Sequence, residues 1–177
     1  MKNLWKMSLI LLAVCAIAAG SLSFVYTVTK PRIEKQQELE KMGALKEVMP
    51  EATKFAESRL FGREEVKGEK RWIVYKEDKK IGIAIEVTAK GYGGPIHIIF
   101  GLDKNKKVTK VKIIEQNETP GLGNKIKDKK FISQFDGKIK DEIVLKKNGG
   151  KIDAISGATI SSRAVTNAIR DAINALE

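Results

Sequence analysis

The chain has 177 residues, 42% of them hydrophobic and 31% charged, a balance that excludes an intrinsically disordered protein. Its formal net charge is +11, but no helix-turn-helix, zinc-finger or RNP signature accompanies the basic residues, so we expect a basic surface and no nucleic-acid partner. One cysteine and one histidine exclude an intramolecular disulfide, a cysteine-ligated cluster and a multi-histidine zinc site, so we predict no metal and assign any redox chemistry to an organic cofactor.

The first predicted element is a transmembrane helix. Residues 7–28 carry no charge, and as a helix they span about 30 Å, the thickness of a bilayer core. Trp5 and Tyr26 lie near the two ends, where amphipathic aromatic side chains favour the membrane interface. Residues 1–29 are therefore interpreted as a single-pass anchor in the lipid bilayer.

Two alternatives to this anchor stay open. A cleaved signal peptide usually has a shorter apolar run than this one. A lipoprotein would be cut before Cys15, where Val14 is bulkier than the small residue usual at such a site. Basic residues flank both ends of the apolar run, so charge bias leaves the orientation of the anchor open.

A polar helix is predicted next, over residues 30–50, and Pro50 would end it. Its apolar residues recur every three or four positions, at Leu39, Met42, Leu45 and Met49. We therefore expect a stalk that packs one of its sides on a single domain formed by residues 51–177.

The domain is predicted to begin with a β-rich region. Four segments are rich in apolar residues and separated by short polar turns, as strands are, at residues 71–75, 81–87, 96–100 and 108–114. In the last of them Lys110 and Lys112 alternate with apolar residues, as a sheet with one wet face requires. The short connections between consecutive strands favour an antiparallel sheet.

Helices are predicted to flank this sheet. One candidate covers residues 124–135, after the four strands. The other covers residues 159–176 and has an apolar stripe of Ala164, Val165, Ala168, Ile169, Ala172, Ile173 and Leu176. The predicted fold class is therefore α+β.

The start of the last predicted helix is the most informative stretch for function. Residues 153–162 read Asp-Ala-Ile-Ser-Gly-Ala-Thr-Ile-Ser-Ser. The small residues let a ligand approach the backbone, and the hydroxyls gather where free N–H groups and the helix dipole favour an anion such as a phosphate. Capping of the helix by serine or threonine is a plainer interpretation of the same hydroxyls, and it stays open at this point.

This stretch is similar to the flavinylation motif Asp-x-x-Ser/Thr-Gly-Ala-Thr of the FMN-binding domains in Rnf and Na⁺-translocating NADH:quinone reductase complexes. The fixed positions of the motif are filled by Asp153, Ser156, Gly157, Ala158 and Thr159, and the resemblance implies that these residues bind the cofactor. The resemblance implies that FMN is joined through its phosphate to Thr159, and that a dedicated flavin transferase with FAD as donor makes the bond.

Neighbouring hydroxyls are also candidates. Ser156 and Ser161 are the rival acceptors, and Ser162 is included among the expected cofactor-binding residues. Thr159 has no nearby histidine to activate it, so the base must come from another protein, and we predict no catalytic residue in this chain.

Two glycine-containing segments complete the predicted site. Residues 91–95 read Gly-Tyr-Gly-Gly-Pro and residues 118–123 read Glu-Thr-Pro-Gly-Leu-Gly, and each pattern alone indicates a turn. Both resemble segments of the same FMN-binding family. The resemblance implies cofactor contacts from Tyr92, Gly93, Glu118, Thr119, Gly121, Leu122 and Gly123, whereas His97 is predicted to be a structural hydrogen-bonding residue.

The resemblance covers nearly the whole chain and is greatest to the G subunits of Rnf complexes. It implies an electron-carrier subunit of a membrane-bound Na⁺- or H⁺-translocating ferredoxin:NAD oxidoreductase complex, with the FMN domain on the extracytoplasmic side of the cell membrane and other subunits as redox partners. The chain has no dinucleotide fingerprint and completes no reaction alone. A flavin-based sensor and an anchored, non-redox binding or scaffold domain stay open as alternatives.

Overall fold

The computed structural model describes residues 2–58 and 69–176. The chain divides into two compact units, Met1–Glu40 and Lys41–Glu177. The first unit is helical and belongs to α1, Lys2–Val48, so the predicted anchor and stalk form one continuous helix that contains Pro31. From Trp5 onward this helix is long and apolar enough to cross a membrane. A signal sequence would meet the same criteria of length and composition.

Within the second unit, the end of α1 packs on the sheet. Leu45 and Met49 are buried as expected, but Leu39 and Met42 are exposed. The buried positions at the end of α1 and just after it are Ala44, Leu45, Val48 and Met49, which share a core with residues of the sheet. The helix ends at Val48, just before Pro50, as predicted.

The second unit is built on one antiparallel sheet of five strands in the order in which they follow along the chain. The strands are β1 (Lys54–Ser58), β2 (Lys70–Lys76), β3 (Lys79–Lys90), β4 (Pro95–Asp103) and β5 (Val108–Gln116). The four predicted strands lie within β2 to β5, so the antiparallel α+β prediction is confirmed. β1 was not predicted, because it is a short edge strand in which the side chains of residues 54–57 are exposed or half-buried and give little apolar signal.

The turn between β2 and β3 is tighter than predicted. Glu77 and Asp78 alone form it, and both have positive φ, at 47° and 61°. Lys79 and Lys80, which lie between the predicted strands 71–75 and 81–87, belong to β3. A two-residue turn of this kind matches the right-handed twist of a hairpin.

The sheet carries apolar side chains on both faces. On one face Ala84, Val74 and Ile99 pack with the end of α1. Successive side chains of a strand point to opposite faces, so their neighbours Ile85 and Phe100 contribute to a larger core on the other face. Ion pairs also join the helix end to the sheet, from Lys41 to Glu86 and from Lys112 to Glu47, both at 2.8 Å.

The segment after β5 corrects the prediction of a helix over residues 124–135. It contains a 3₁₀ turn at Gly123–Lys127, the short helix α2 at Lys129–Ile132, and another 3₁₀ turn at Ser133–Phe135. The interruption lies at Asp128, whose backbone is extended with ψ at 137°. Further 3₁₀ turns follow at Lys140–Glu142 and Lys146–Asn148.

The larger core is completed by α3, Thr159–Asn174. The predicted stripe is confirmed at Val165, Ile169, Ala172 and Ile173, which are buried against the sheet. The first turns of this helix also bury Ser161, Ser162 and Thr166, three hydroxyl groups that need partners inside the protein.

Candidate functional site

The sheet brings the three predicted site segments to one edge. In an antiparallel sheet the end of β3, the start of β4 and the end of β5 lie at the same edge. Residues 91–94 connect β3 to β4, and residues 117–123 follow β5. Together with the start of α3 they enclose a cleft of about 400 Å³, within the usual range for a small-molecule site.

This cleft brings together most of the predicted residues, and it is called the flavin cleft below after the cofactor that the sequence resemblance implies. It is lined by Tyr92, Glu118, Thr119, Leu122, Gly123, Gly157, Ala158, Thr159, Ile160 and Ser161. Of these, the sequence analysis missed Ile160, which is 53% exposed and lies outside the buried stripe of α3. An exposed apolar residue in the first turn of an amphipathic helix is the signal that could have identified it.

Glu118 holds the three segments together. Its side chain is buried, and Oε1 accepts hydrogen bonds from the backbone N–H groups of Tyr92, at 2.8 Å, and Gly93, at 3.2 Å. Its Oε2 accepts a hydrogen bond from Ser161 Oγ at 2.8 Å. One carboxylate therefore satisfies donors from the β3–β4 connection and from α3.

The glycines around Glu118 make room for this side chain. A Cβ on Gly91 would lie 1.9 Å from Glu118 Oε1, and one on Gly123 would lie 2.5 Å from Oε2. A Cβ on Gly93 would lie 2.1 Å from the carbonyl oxygen of Asn117. These positions are glycine because another part of the protein approaches closely, whereas Gly121, with φ at 79°, is glycine for its backbone conformation.

Thr159 presents a free hydroxyl group to the flavin cleft. It is the first residue of α3 and is half-buried, and among the described residues its hydroxyl has no hydrogen-bond partner. The residue before the helix is Ala158, which supplies no side-chain cap. The hydroxyls of this stretch therefore do not cap α3, and the first N–H groups of the helix remain available to an anion.

The serines of the motif are placed differently. Ser161 and Ser162 are buried, and Ser162 Oγ donates to the carbonyl of Ala158 at 2.9 Å and accepts from the N–H of Ile155 at 3.0 Å. Ser156 is exposed and lines a different cleft. Neither Ser156 nor Ser162 lines the flavin cleft, although both were predicted to bind the cofactor.

That second cleft, of about 590 Å³, is lined by residues 153–156 of the motif. Asp153 lines it with Ser156, so the predicted contact of Asp153 with the cofactor is not seen in the flavin cleft. The carboxylate of Asp153 instead pairs with Lys146 at 2.7 Å. The remaining lining residues are Lys125, Asp128, Lys130, Phe131, Gln134, Ala154 and Ile155.

The other predicted residues either form the rim of the flavin cleft or lie outside its lining. Tyr92 and Leu122 are 72% and 47% exposed, so they form an apolar rim that suits one face of a planar ring. Gly93 and Gly121 do not line the cleft, although Gly93 donates its N–H to Glu118. His97 Nδ1 lies 3.1 Å from Thr88 Oγ1 on the neighbouring strand, away from the cleft.

Charged groups near the site do not form a metal centre. Within residues 2–58 and 69–176, no group of three or more histidine, cysteine, aspartate or glutamate side chains could hold a metal ion. Glu118 is an acidic side chain in the wall of the flavin cleft, and it accepts hydrogen bonds from Tyr92, Gly93 and Ser161 of the protein itself.

Comparison with known families matches two parts of the chain. Residues 91–174 match the FMN-binding domain family, and residues 1–48 match the family of the RnfG N-terminal region. The first match begins at the β3–β4 connection and ends with α3, so it includes every residue that lines the flavin cleft.

Curated relatives match over nearly the full length. The G subunit of the ion-translocating oxidoreductase complex of Methanosarcina acetivorans is 32% identical over 98% of this chain and 94% of its own length. The G subunit of the proton-translocating ferredoxin:NAD(+) oxidoreductase complex of Clostridium ljungdahlii is 31% identical over 90% of this chain and 84% of its own. Among solved structures, NqrC of Shewanella oneidensis has a TM-score of 0.51 and 20% identity, covering 71% of this chain and 67% of that one, which shows a shared fold.

Proposed function

Because this chain belongs to the family of G subunits of ion-translocating oxidoreductase complexes, we propose that it carries electrons within such a complex through FMN bound covalently to Thr159. The other subunits of the complex are its redox partners, and the complex couples electron transfer between ferredoxin and NAD to the translocation of Na⁺ or H⁺. The observation that carries the proposal is the free hydroxyl of Thr159 in the flavin cleft, at an uncapped helix start.

The residues of the cleft fit FMN. The N–H groups at the start of α3 suit a phosphate, and a phosphodiester on Thr159 would keep one negative charge there. The exposed side chains of Tyr92, Leu122 and Ile160 suit the planar ring. When bound, FMN supplies a group that accepts and donates electrons one at a time, and the protein retains it, orients it and limits its contact with water.

The covalent bond requires a second protein. Thr159 Oγ1 attacks the flavin-side phosphorus of FAD, the bond between the two phosphates breaks, and AMP leaves. The hydroxyl proton must pass to a base, and no carboxylate or imidazole is hydrogen-bonded to Thr159 in the described part of the chain. The base therefore belongs to the flavin transferase, which is a partner during maturation.

The plainest rival, a non-redox scaffold domain, would use these hydroxyls as helix caps. The structure offers no support for that role, since no side chain caps α3. A bound flavin also requires a cleft beside the acceptor, and Thr159 lines one.

Coexpression with a flavin transferase tests the proposal. The denatured full-length chain should give a fluorescent band under ultraviolet light, with the added mass of FMN on the peptide that contains Thr159. Thr159→Ala should abolish both signals, and Thr159→Ser, which keeps a hydroxyl, should retain them. An unmodified wild-type chain in cells whose transferase modifies another substrate would refute the proposal.

The proposed topology places the second unit on the extracytoplasmic side of the membrane, with the uncharged part of α1, residues 7–28, in the lipid bilayer. A single cysteine at the exposed turn residue Lys104, in a Cys15→Ala background, provides the test. Lys104→Cys should react with a membrane-impermeant maleimide in intact spheroplasts. Labelling only after lysis would place the domain in the cytoplasm.

A further inference from the structure

We propose that Gln134, which lies outside the flavinylation motif, positions the acceptor loop so that Thr159 is presented to the flavin-transferring enzyme. The acceptor loop is defined here as residues 153–158, between the 3₁₀ turn at Lys146–Asn148 and α3. This inference rests on the proposed attachment of FMN to Thr159 and concerns how that site is prepared for modification.

Gln134 binds the backbone at the start of the acceptor loop with both ends of its amide. Its Oε1 accepts a hydrogen bond from the N–H of Asp153 at 2.7 Å, and its Nε2 donates one to the carbonyl of Asp153 at 3.3 Å. Because the backbone N–H can only donate and the carbonyl can only accept, this pairing fixes the orientation of the amide. The contact is independent of the Asp153 side chain, which pairs with Lys146.

The backbone at Gln134 is held in place by the buried residue next to it. Gln134 belongs to the 3₁₀ turn Ser133–Phe135, and Phe135 is fully buried in the larger core. The ring of Phe135 packs edge-on against Phe131, with centroids 5.5 Å apart. Gln134 therefore adds a tie between the backbone of Asp153 and the core to the one that its buried neighbour Ile152 provides.

The far end of the acceptor loop is held by a different residue. Ser162 Oγ bonds the N–H of Ile155 and the carbonyl of Ala158. Between these two attachments the exposed Ser156–Gly157 turn has Gly157 at φ 78°. Ser162 is part of α3 itself, whereas Gln134 and Lys146 link the start of the loop to other parts of the domain, Gln134 through the backbone of Asp153 and Lys146 through its side chain.

Fixing the loop matters because an enzyme must bring a phosphorus atom to one hydroxyl in a defined direction. If the loop samples several conformations, only the fraction with the correct geometry binds productively, and the apparent affinity of the enzyme falls by that fraction. Loss of both hydrogen bonds is expected to reduce that fraction on the order of tenfold.

The test measures flavin transfer from FAD to the full-length chain in detergent, with the acceptor protein as the varied substrate. Gln134→Met keeps the length of the side chain and removes both hydrogen bonds. Its KM for transfer should rise about tenfold while kcat stays within about twofold, since the enzyme selects the competent loop. Gln134→Glu keeps the acceptor for the Asp153 N–H and should recover part of the loss. Ser133→Ala, an exposed neighbour in the same turn, is the matched control and should behave like the wild type.

Hydrogen exchange in the unmodified chain gives a readout that is separate from transfer. The amide of Asp153 should exchange faster in Gln134→Met, with unchanged exchange in β3 and β4. Wild-type transfer kinetics in Gln134→Met would overturn the inference and leave the proposed function intact. Exchange that rises throughout the domain would also overturn it, because the residue would then support the fold as a whole. A wild-type chain that accepts no flavin would instead refute the proposed function.

Discussion

The carboxylate of Glu118 and the hydroxyl of Ser161 meet at 2.8 Å inside the protein, although 43 residues separate them along the chain. The bond joins the segment after β5 to the first turn of α3. The second oxygen of Glu118 accepts from the backbone of the β3–β4 connection. The wall of the flavin cleft is therefore held together by one acidic side chain that is itself 5% exposed.

Glu118→Ala is expected to lower the free energy of unfolding by about 2–4 kcal/mol, because buried donors at Tyr92, Gly93 and Ser161 lose their acceptor. Chemical denaturation of the full-length chain in detergent measures this change. Glu115→Ala, an exposed acidic residue at the end of β5, is the control and should alter stability by less than about 0.5 kcal/mol. Equal stability of the two variants would contradict the assigned role of Glu118.

Gly123→Ala is expected to destabilise the domain more than Gly121→Ala. The new Cβ at 123 would meet Glu118 Oε2 at 2.5 Å and its Cβ at 2.9 Å, whereas the Cβ at 121 has open space and meets only the cost of its positive φ. That cost is about 1 kcal/mol. Denaturation midpoints measure both variants. The effects of Gly123→Ala and Glu118→Ala should also be less than additive, since the second change removes part of the clash.

Ser156→Ala and Ser161→Ala should both remain flavinylated. Ser156 lines the second cleft, and the hydroxyl of Ser161 is buried against Glu118, so neither replaces Thr159 in the flavin cleft. In-gel fluorescence after coexpression with the transferase measures the modification. Ser161→Ala should lower stability as well, because Glu118 loses a donor. If Ser156→Ala gave no fluorescent band and the peptide that contains Thr159 lacked the added mass of FMN, the attachment would be reassigned to Ser156.

Glu142 should give the domain a pH-dependent contribution to stability. Its pKa is lowered by a hydrogen bond from Lys151 and another from the N–H of Ile139. A carboxyl group with a lowered pKa in the folded state stabilises that state above its ordinary pKa of 4.5, and this contribution disappears as the pH falls through the lowered value. Glu142→Gln should therefore be less stable than the wild type at pH 7.

The measurement is the free energy of unfolding of both chains across pH 7 to 3. The difference between them should shrink to zero as the pH falls below the lowered pKa of Glu142. Asp141→Asn, an exposed neighbour in the same 3₁₀ turn, should show no such convergence. A constant difference between wild type and Glu142→Gln at every pH would show that the charge of Glu142 is not the cause.

The elements that could be predicted from the sequence are those with a repeated apolar pattern. The strands within β2 to β5 and the stripe of α3 bury side chains at regular intervals, and the pattern carries that information. β1 and the segment 123–135 lack such regularity. The segment is shaped by the extended backbone of Asp128 and by the burial of two phenylalanines, both of which depend on the rest of the fold.

The site was predictable to a similar degree. The motif and the glycine segments identified the residues that meet at one edge of the sheet. The roles of these residues follow only from the three-dimensional structure. Gly91 and Gly123, for example, are glycine because the Glu118 side chain approaches them closely. Gln134 gave no signal at all, since a lone glutamine in a short turn becomes meaningful only when its amide is seen beside Asp153.

The order of the strands has a consequence for synthesis of the chain on the ribosome. Each strand pairs with the one made just before it, so the sheet can assemble progressively while translation continues. The part of its larger apolar face that α3 covers stays in contact with water until α3, which follows all five strands, has left the exit tunnel. Docking of α3 and formation of the loop that precedes Thr159 are therefore late events that follow assembly of the sheet.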